Sequence, residues 1–135
     1  MRSKTYFCIV GHCDAKDVVR TLQLKPDDFF IEDEVSSKNP KLKYKYTNLE
    51  FGVVEKDTLY VDRQMLKTVS VLKDKVEKLN EIRKKYEVNF YLEVVLNLTV
   101  DADKPIISPP SEVIEFCYLT GCQIDYDYYL YDSDK

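Results

Sequence analysis

Every second residue between Val88 and Leu98 is apolar, and the residues between them are mostly polar. Successive side chains of a β-strand point to opposite faces of its sheet. The segment therefore predicts a strand with one face buried and the other largely in water. A sheet built around such a strand needs a second layer of structure on its apolar face.

From Asp62 to Tyr86, apolar residues recur instead at steps of three and four, which predicts one amphipathic helical face. Asp74 and Glu77 have the spacing of a capping box, and the residues around Ser70 are poor helix formers. Two helices in tandem therefore fit this stretch as well as one long helix. The predicted buried positions are Met65, Val69, Leu72, Val76, Leu79, Ile82 and Tyr86.

The first part of the chain predicts a strand, a helix and a hairpin. Residues 5–11 are apolar on both faces, which is typical of a central strand. Asp14 follows with the chemistry of a helix N-cap. Residues 27–46 form an irregular loop region, after which a strand resumes within residues 44–54. A turn then returns the chain through residues 58–61 as a second hairpin strand.

The C-terminal part predicts one more helix and one more strand. Ser108 precedes two prolines, the pattern of a helix start, because a proline at the first helical position needs no N–H. Gly121 suits the C-terminal end of that helix. We expect its inner face to comprise Val113, Ile114, Cys117 and Tyr118. The final strand, residues 122–131, points Ile124, Tyr126, Tyr128 and Leu130 inward and Asp125, Asp127, Tyr129 and Tyr131 outward.

These elements predict a single α+β domain over residues 1–135. We expect a two-layer sandwich in which helices pack on one face of a mainly antiparallel sheet of four to five strands. With the hairpin included, the first six elements follow a ferredoxin-like βαββαβ order. A chain of 135 residues buries about two-thirds of its unfolded surface, so it needs no metal or disulfide for stability.

Charge and hydropathy exclude several classes of partner. The chain has 20 Lys and Arg against 24 Asp and Glu, and its net charge of −4 disfavours nucleic acid and anionic membrane surfaces. No window approaches the roughly 20 apolar residues of a membrane span. The N-terminal apolar run, residues 6–10, is too short for a secretory signal. We therefore expect a cytoplasmic protein whose four cysteines are reduced.

The distribution of charge points to a binding surface. Residues 62–86 carry eight basic and four acidic side chains, whereas residues 100–135 carry two basic and eight acidic ones. Tyrosine offers a large contact area, and acidic surroundings attract basic partners. We therefore predict binding of a protein partner, of basic character, by the last strand. The alternative is that these tyrosines only complete the core. The predicted binding residues are Asp125, Asp127, Tyr129 and Tyr131.

The four cysteines are candidates for a metal site. Cys8 and Cys13, like Cys117 and Cys122, have a spacing at the edge of that used by zinc sites, and His12 is adjacent to Cys13. Buried or incidental thiols are the favoured interpretation, with no metal and no cofactor.

His12 and Cys13 define an alternative cleft for a small-molecule binder or enzyme, with Asp125 as a further member. Cys13 precedes a helix N-terminus, which lowers the pKa of a thiol. Asp125 and Asp127, with Glu93, are also candidates for acid–base work or cation binding, against the interpretation of a solvated strand face.

A lysine-rich stretch interleaved with tyrosines has the composition of a nucleic-acid contact. Lysines of this kind equally protect an edge strand from pairing with another chain, and the acidic total favours that interpretation. The residues are Lys38, Lys41, Lys43 and Lys45 with Tyr44 and Tyr46.

The chain resembles a bacterial family catalogued as domain of unknown function 4279. The resemblance is carried by Gly11, the segment 22–26, the stretch 66–98 and, best of all, a set of motifs between residues 105 and 127. It implies bacterial origin and a cytoplasmic α+β protein, and it brings no catalytic residue. It also implies a place near toxin–immunity gene sets. The last motifs are Pro105-Ile-Ile-Ser108, Glu112-Val-Ile-Glu-Phe116, Gly121 and Ile124-Asp125-Tyr126-Asp127.

One histidine and three glycines leave few groups for a catalytic centre. The sequence therefore favours a non-enzymatic interaction module, specifically an immunity protein that neutralises a toxin. A small-molecule binder or enzyme with the His12 and Cys13 cleft is the alternative.

Overall fold

The computed structural model describes residues 2–132 and confirms the α+β class. Five strands form one open sheet, mixed but mostly antiparallel, and the four α-helices of this part of the chain pack on one side of it. In chain order the elements are β1 (Arg2–His12), α1 (Ala15–Leu22), β2 (Asp28–Phe30), β3 (Thr47–Lys56), α2 (Val61–Ser70), a 3-10 turn (Lys73–Lys75), α3 (Val76–Lys85), β4 (Glu87–Thr99), α4 (Ser111–Thr120) and β5 (Gln123–Tyr131).

The strand order across the sheet is β2-β3-β1-β4-β5. β1 is antiparallel to both of its neighbours, and β2 is antiparallel to β3. β1 and β2 are therefore parallel to each other with β3 between them, which is the split βαβ arrangement of ferredoxin-like folds. β5 is added through α4 and pairs with β4 in parallel. The predicted two-layer architecture is confirmed.

The ferredoxin-like order arises from different strands than the sequence predicted. Residues 58–61 do not form a returning strand, because Tyr60 bridges to the distant Ile106 and α2 begins at Val61. The partner of β3 is instead β2, a three-residue strand inside the segment predicted as an irregular loop. The long-range pairing of Tyr60 with Ile106 therefore replaces the hairpin that the local sequence of residues 58–61 suggests.

The core lies between the helices and one face of the sheet. The predicted alternation of β4 is confirmed, since its even-numbered residues from Val88 to Leu96 are buried. The helical face from Met65 to Ile82 is also confirmed, and it is divided by the 3-10 turn into α2 and α3. Asp14 caps α1 as predicted, because its carboxylate accepts the backbone N–H groups of Lys16 and Asp17.

Two predictions about α4 are wrong. The helix begins at Ser111 after Pro110, so Ser108 is not its cap. Ile114 is 55% exposed and Tyr118 is 84% exposed, so neither belongs to the inner face. The helix has apolar residues on more than one side, and its rotation is set by packing against α2 and α3. Its buried residues are Val113, Phe116, Cys117 and Thr120.

A buried polar contact joins α2 to the sheet. Gln64 donates from Nε2 to the carbonyl oxygens of Ser3 and Val54, both at 2.9 Å. The hydroxyl groups of Thr5 and Thr68 are 2.8 Å apart. These bonds satisfy polar groups inside an otherwise apolar layer, as burial requires. Across residues 2–132, no helix is both long enough and apolar enough to span a bilayer.

Candidate protein-binding face

The sheet has a second face on which none of the helices within residues 2–132 packs. We call it the open face. It consists of the strand residues that alternate with the core positions, for example Tyr6 and Cys8 on β1 and Tyr91 and Glu93 on β4. Most of these side chains are half-buried by one another, because adjacent strands bring them side by side.

Register brings acidic and thiol groups together at the centre of the open face. Cys8 pairs with Glu50 on one side and with Tyr91 on the other. Two residues further along β4, Glu93 pairs with Asp125 of β5. Three strands therefore contribute carboxylates to one patch. We call the four residues Glu50, Glu93, Asp125 and Asp127 the acidic strip.

The acidic strip changes the ionisation of Glu93. Burial raises the pKa of Glu93 to about 7, and a hydrogen bond with Asp125 and the charges of Asp125, Asp127 and Glu50 add to the increase. Placing carboxylates close together in a partly desolvated site favours the protonated form of one of them. The strip therefore holds negative charge that a cation would stabilise.

The carboxylates of the acidic strip also affect the pKa values of Tyr6 and Cys8 on the open face. Burial, followed by the charges of Glu50 and Glu93, raises the pKa of Tyr6 above its ordinary value. Cys8 is 3% exposed, and burial together with the same two carboxylates raises the pKa of its thiol. Cys8 is therefore a protonated, covered thiol and not an activated nucleophile.

The four residues predicted to bind a partner share the open face. Asp125 and Asp127 lie opposite Glu93 and Val95, and Tyr129 and Tyr131 continue the same row. Tyr129 is 47% exposed and donates its hydroxyl to Asp127 at 2.9 Å. Tyr131 is 53% exposed and donates to Asn97 at 3.3 Å. These two tyrosines therefore extend the acidic strip with accessible rings.

Glu50 cannot be predicted from the sequence, which indicates Glu93 only as a companion of the two aspartates. The signal for Glu93 is its position among the polar residues of an alternating strand. Glu50 has no such signal, because its neighbourhood depends on the pairing of β3 with β1.

The residues of the alternative cleft, His12, Cys13 and Asp125, do not lie together. His12 contacts Glu32 at the exposed end of β1. Cys13 packs against the core, and burial, with the charges of Asp14 and Glu32, raises the pKa of its thiol to about 11. Asp125 lies far away along the sheet: His12 pairs with Glu87 and Asp125 with Glu93, a separation of roughly 20 Å along β4.

The four cysteines are free thiols. The neighbouring thiol of Cys117, followed by burial, raises the pKa of Cys122, and Cys8 belongs to the open face. Within residues 2–132, no three His, Cys, Asp or Glu side chains are grouped closely enough to hold a metal ion.

The lysine-rich stretch forms a small hairpin beside β2. A bridge joins Val35 to Lys43, and the ring of Tyr44 stacks on Phe30 with centroids 4.4 Å apart. Tyr46 meets the same Phe30 ring edge-on. The rings therefore pack on one another, while the lysine side chains lie in solvent.

An apolar groove of about 490 Å³ lies on the helix side between α1 and β2. Its walls include Val19, Pro26, Phe29 and Leu49, and none of the predicted site residues lines it.

The fold and the open face define a small α+β domain with a helix layer on one side of a five-stranded sheet and an acidic, tyrosine-bearing surface on the other. The chain belongs to the family described as Domain of unknown function (DUF4279), whose model matches residues 1–131. No curated protein and no solved structure matches the chain.

Proposed function

We propose that this chain is a non-enzymatic module that binds a basic protein partner through the open face. The observation that carries the proposal is the acidic strip, in which β3, β4 and β5 contribute carboxylates to the open face and the exposed rings of Tyr129 and Tyr131 continue the row of Asp125 and Asp127. Like charges held together in this way are costly for the free protein, and basic side chains of a partner relieve that cost.

A contact within the chain illustrates the chemistry. The ammonium group of Lys4 lies over the ring of Tyr6, with Nζ 5.1 Å from the ring centroid. Lys4 is on the open face, in the row that contains Val95 and Asp127. A lysine or arginine of a partner would make the same kind of cation–π contact with the exposed tyrosines while facing the acidic strip.

As a binding module of this kind, the chain acts as an immunity protein that neutralises a toxin in the bacterial cytoplasm. Neutralisation by binding needs a charged contact surface and no reactive centre. The protonated, covered state of Cys8 and the raised pKa of Cys13 support a binding role over nucleophilic chemistry. The four free thiols are consistent with a reducing compartment.

The test compares two quadruple alanine variants in affinity capture from the native lysate, read by quantitative mass spectrometry. The first replaces the open-face residues Asp125, Asp127, Tyr129 and Tyr131. The matched control removes two exposed carboxylates and two exposed rings outside the open face, at Glu77, Glu81, Tyr60 and Tyr118.

We expect the first variant to lose a basic partner that the wild type and the control retain, with all three proteins showing the same circular dichroism. The retained complex should weaken as salt is added, because its attraction is electrostatic. Equal capture by the two variants would remove the open face as the binding surface.

A further inference from the structure

β5 is an edge strand whose outer side is unpaired in the described part of the chain. Tyr131 accepts a hydrogen bond at its carbonyl from Val100, on the side of β4. The N–H and C=O of one strand residue point to the same side, and alternate residues point to opposite sides. The odd-numbered residues of β5 therefore bond to β4. The outward backbone groups belong to Ile124, Tyr126, Tyr128 and Leu130.

The two edge strands of the sheet differ in length. β2, at one edge, has three residues, whereas β5 at the other has nine. Natural proteins usually shorten or cover their edge strands, because unpaired N–H and C=O groups are a template for another chain. A long, accessible edge next to the acidic strip is therefore a ready site for an added strand.

The side chains of β5 indicate which residues an added strand would need on each of its faces. On the open face, Asp125 and Asp127 present negative charge. On the helix side, Tyr128 is 63% exposed and Leu130 is 65% exposed. The alternation along β5 predicts that these two side chains point inward. They do lie on the helix side, but they are not covered.

We propose that the partner binds by adding an extended segment to β5, with basic residues on the open face alternating with apolar residues on the helix side. This rests on the proposed function and specifies its mode. Strand addition takes affinity from backbone hydrogen bonds and specificity from alternate side chains. A second copy of this chain is a poor occupant, because in the antiparallel register with full overlap of the two β5 strands Asp127 of one copy lies opposite Asp127 of the other.

The probe is a peptide of alternating lysine and valine as long as β5, compared with a peptide that has the same residues in two blocks. Binding is measured by isothermal titration calorimetry. Tyr128→Pro removes one outward N–H that makes no backbone hydrogen bond within residues 2–132, and an edge strand tolerates such a proline. Tyr128→Ala is the matched control, since it removes the same ring and keeps the N–H.

We expect the alternating peptide to bind at least about tenfold more tightly than the block peptide. Tyr128→Pro should weaken that binding about tenfold relative to Tyr128→Ala, with unchanged circular dichroism. Comparable affinities of the two Tyr128 variants, or no binding of the alternating peptide, would overturn strand addition.

The outcomes separate this inference from the proposed function. If partner capture depends on Asp125 and Asp127 but not on the Tyr128→Pro change, the open face stands and strand addition falls. If capture ignores all of these changes, both fall. A dimer of the free protein in sedimentation equilibrium that Tyr128→Pro dissociates would identify a second copy as the occupant and overturn the basic segment.

Discussion

Glu93 on β4 and Asp125 on β5 lie opposite each other on neighbouring parallel strands, and burial together with the neighbouring Asp125 raises the pKa of Glu93 to about 7. Near neutral pH, Glu93 therefore holds a proton for part of the time. The pair is thus the place on the open face where the cost of crowding negative charge is greatest. A basic side chain from a partner would replace the proton and leave both carboxylates ionised.

Glu93→Gln should change the pH dependence of stability. The pKa of Glu93 is raised from 4.5 to about 7. Between those values the folded protein binds more protons than the unfolded chain, so the wild type loses stability as the pH rises through them. The glutamine variant should lack this loss and gain about 1 kcal/mol over the wild type near pH 8, allowing for solvent screening. Urea unfolding at a series of pH values measures the effect.

The control for this experiment is Glu87→Gln, an exposed position at the start of the same strand. It should follow the wild-type pH dependence. If the Glu93→Gln variant has the same pH dependence as the wild type, the pKa of Glu93 is not raised in the folded protein.

The sequence predicted those parts of the fold in which one local pattern decides the structure. The alternation from Val88 to Leu96 and the helical period from Met65 to Ile82 each mark a single buried face, and both are confirmed. The short strand β2 escaped prediction because its three residues, Asp28–Phe30, gain their strand character only from pairing with β3.

In the candidate site, too, the sequence predicts only what one local pattern determines. Asp125, Asp127, Tyr129 and Tyr131 could be grouped from the sequence because they alternate along one strand. Glu50 could not be added to them, since its proximity depends on the order β3-β1-β4 across the sheet. Similarly, the period of α4 did not show which of its apolar sides faces the core.

Gln64→Met should destabilise the protein by about 2 kcal/mol or more, because it leaves buried polar groups without partners. The amide of Gln64 donates to the carbonyl oxygens of Ser3 and Val54, and its oxygen accepts the hydroxyl of Ser3 at 2.5 Å. Lys67→Met, at an exposed position on the same helix, should change the free energy of unfolding by less than about 0.5 kcal/mol. Equal effects of the two changes in urea unfolding would show that the buried polar contact does not stabilise the fold.

Gly11→Ala should cost about 2–3 kcal/mol in the free energy of unfolding. Gly11 has a φ of 145°, and an added Cβ would lie 2.2 Å from the carbonyl oxygen of Glu87. Both the backbone conformation and the close approach of β4 therefore require glycine. Urea unfolding measures the loss, and a variant as stable as the wild type would be incompatible with this approach of the two strands.

Asp17→Asn should lower the melting temperature more at neutral pH than near pH 3. Asp17 accepts hydrogen bonds from Lys85 at 2.8 Å and from the hydroxyl of Tyr86 at 2.5 Å, which ties α1 to the end of α3. Those donors, with Arg20, hold the pKa of Asp17 well below its usual value. The carboxylate therefore stabilises the fold above that usual value, and its contribution is lost as the pH falls. Calorimetric melting at both pH values tests this.

Tyr86→Phe is the companion change for that experiment, because it removes one donor and keeps the carboxylate. It should lower the melting temperature less than Asp17→Asn does at neutral pH. If Asp17→Asn has the same effect at both pH values, ionisation of Asp17 makes no contribution to the contact.

The most direct measurement is a carbon-13 NMR titration of the Glu93 carboxyl group, first in the free protein and then with the alternating lysine–valine peptide bound. We predict a midpoint near pH 7 in the free protein. With the peptide bound, the midpoint should fall by about one pH unit or more, because lysine side chains favour the ionised form. A midpoint near 4.5 in the free protein, or one that the bound peptide leaves unmoved, would contradict an acidic strip that receives basic partners.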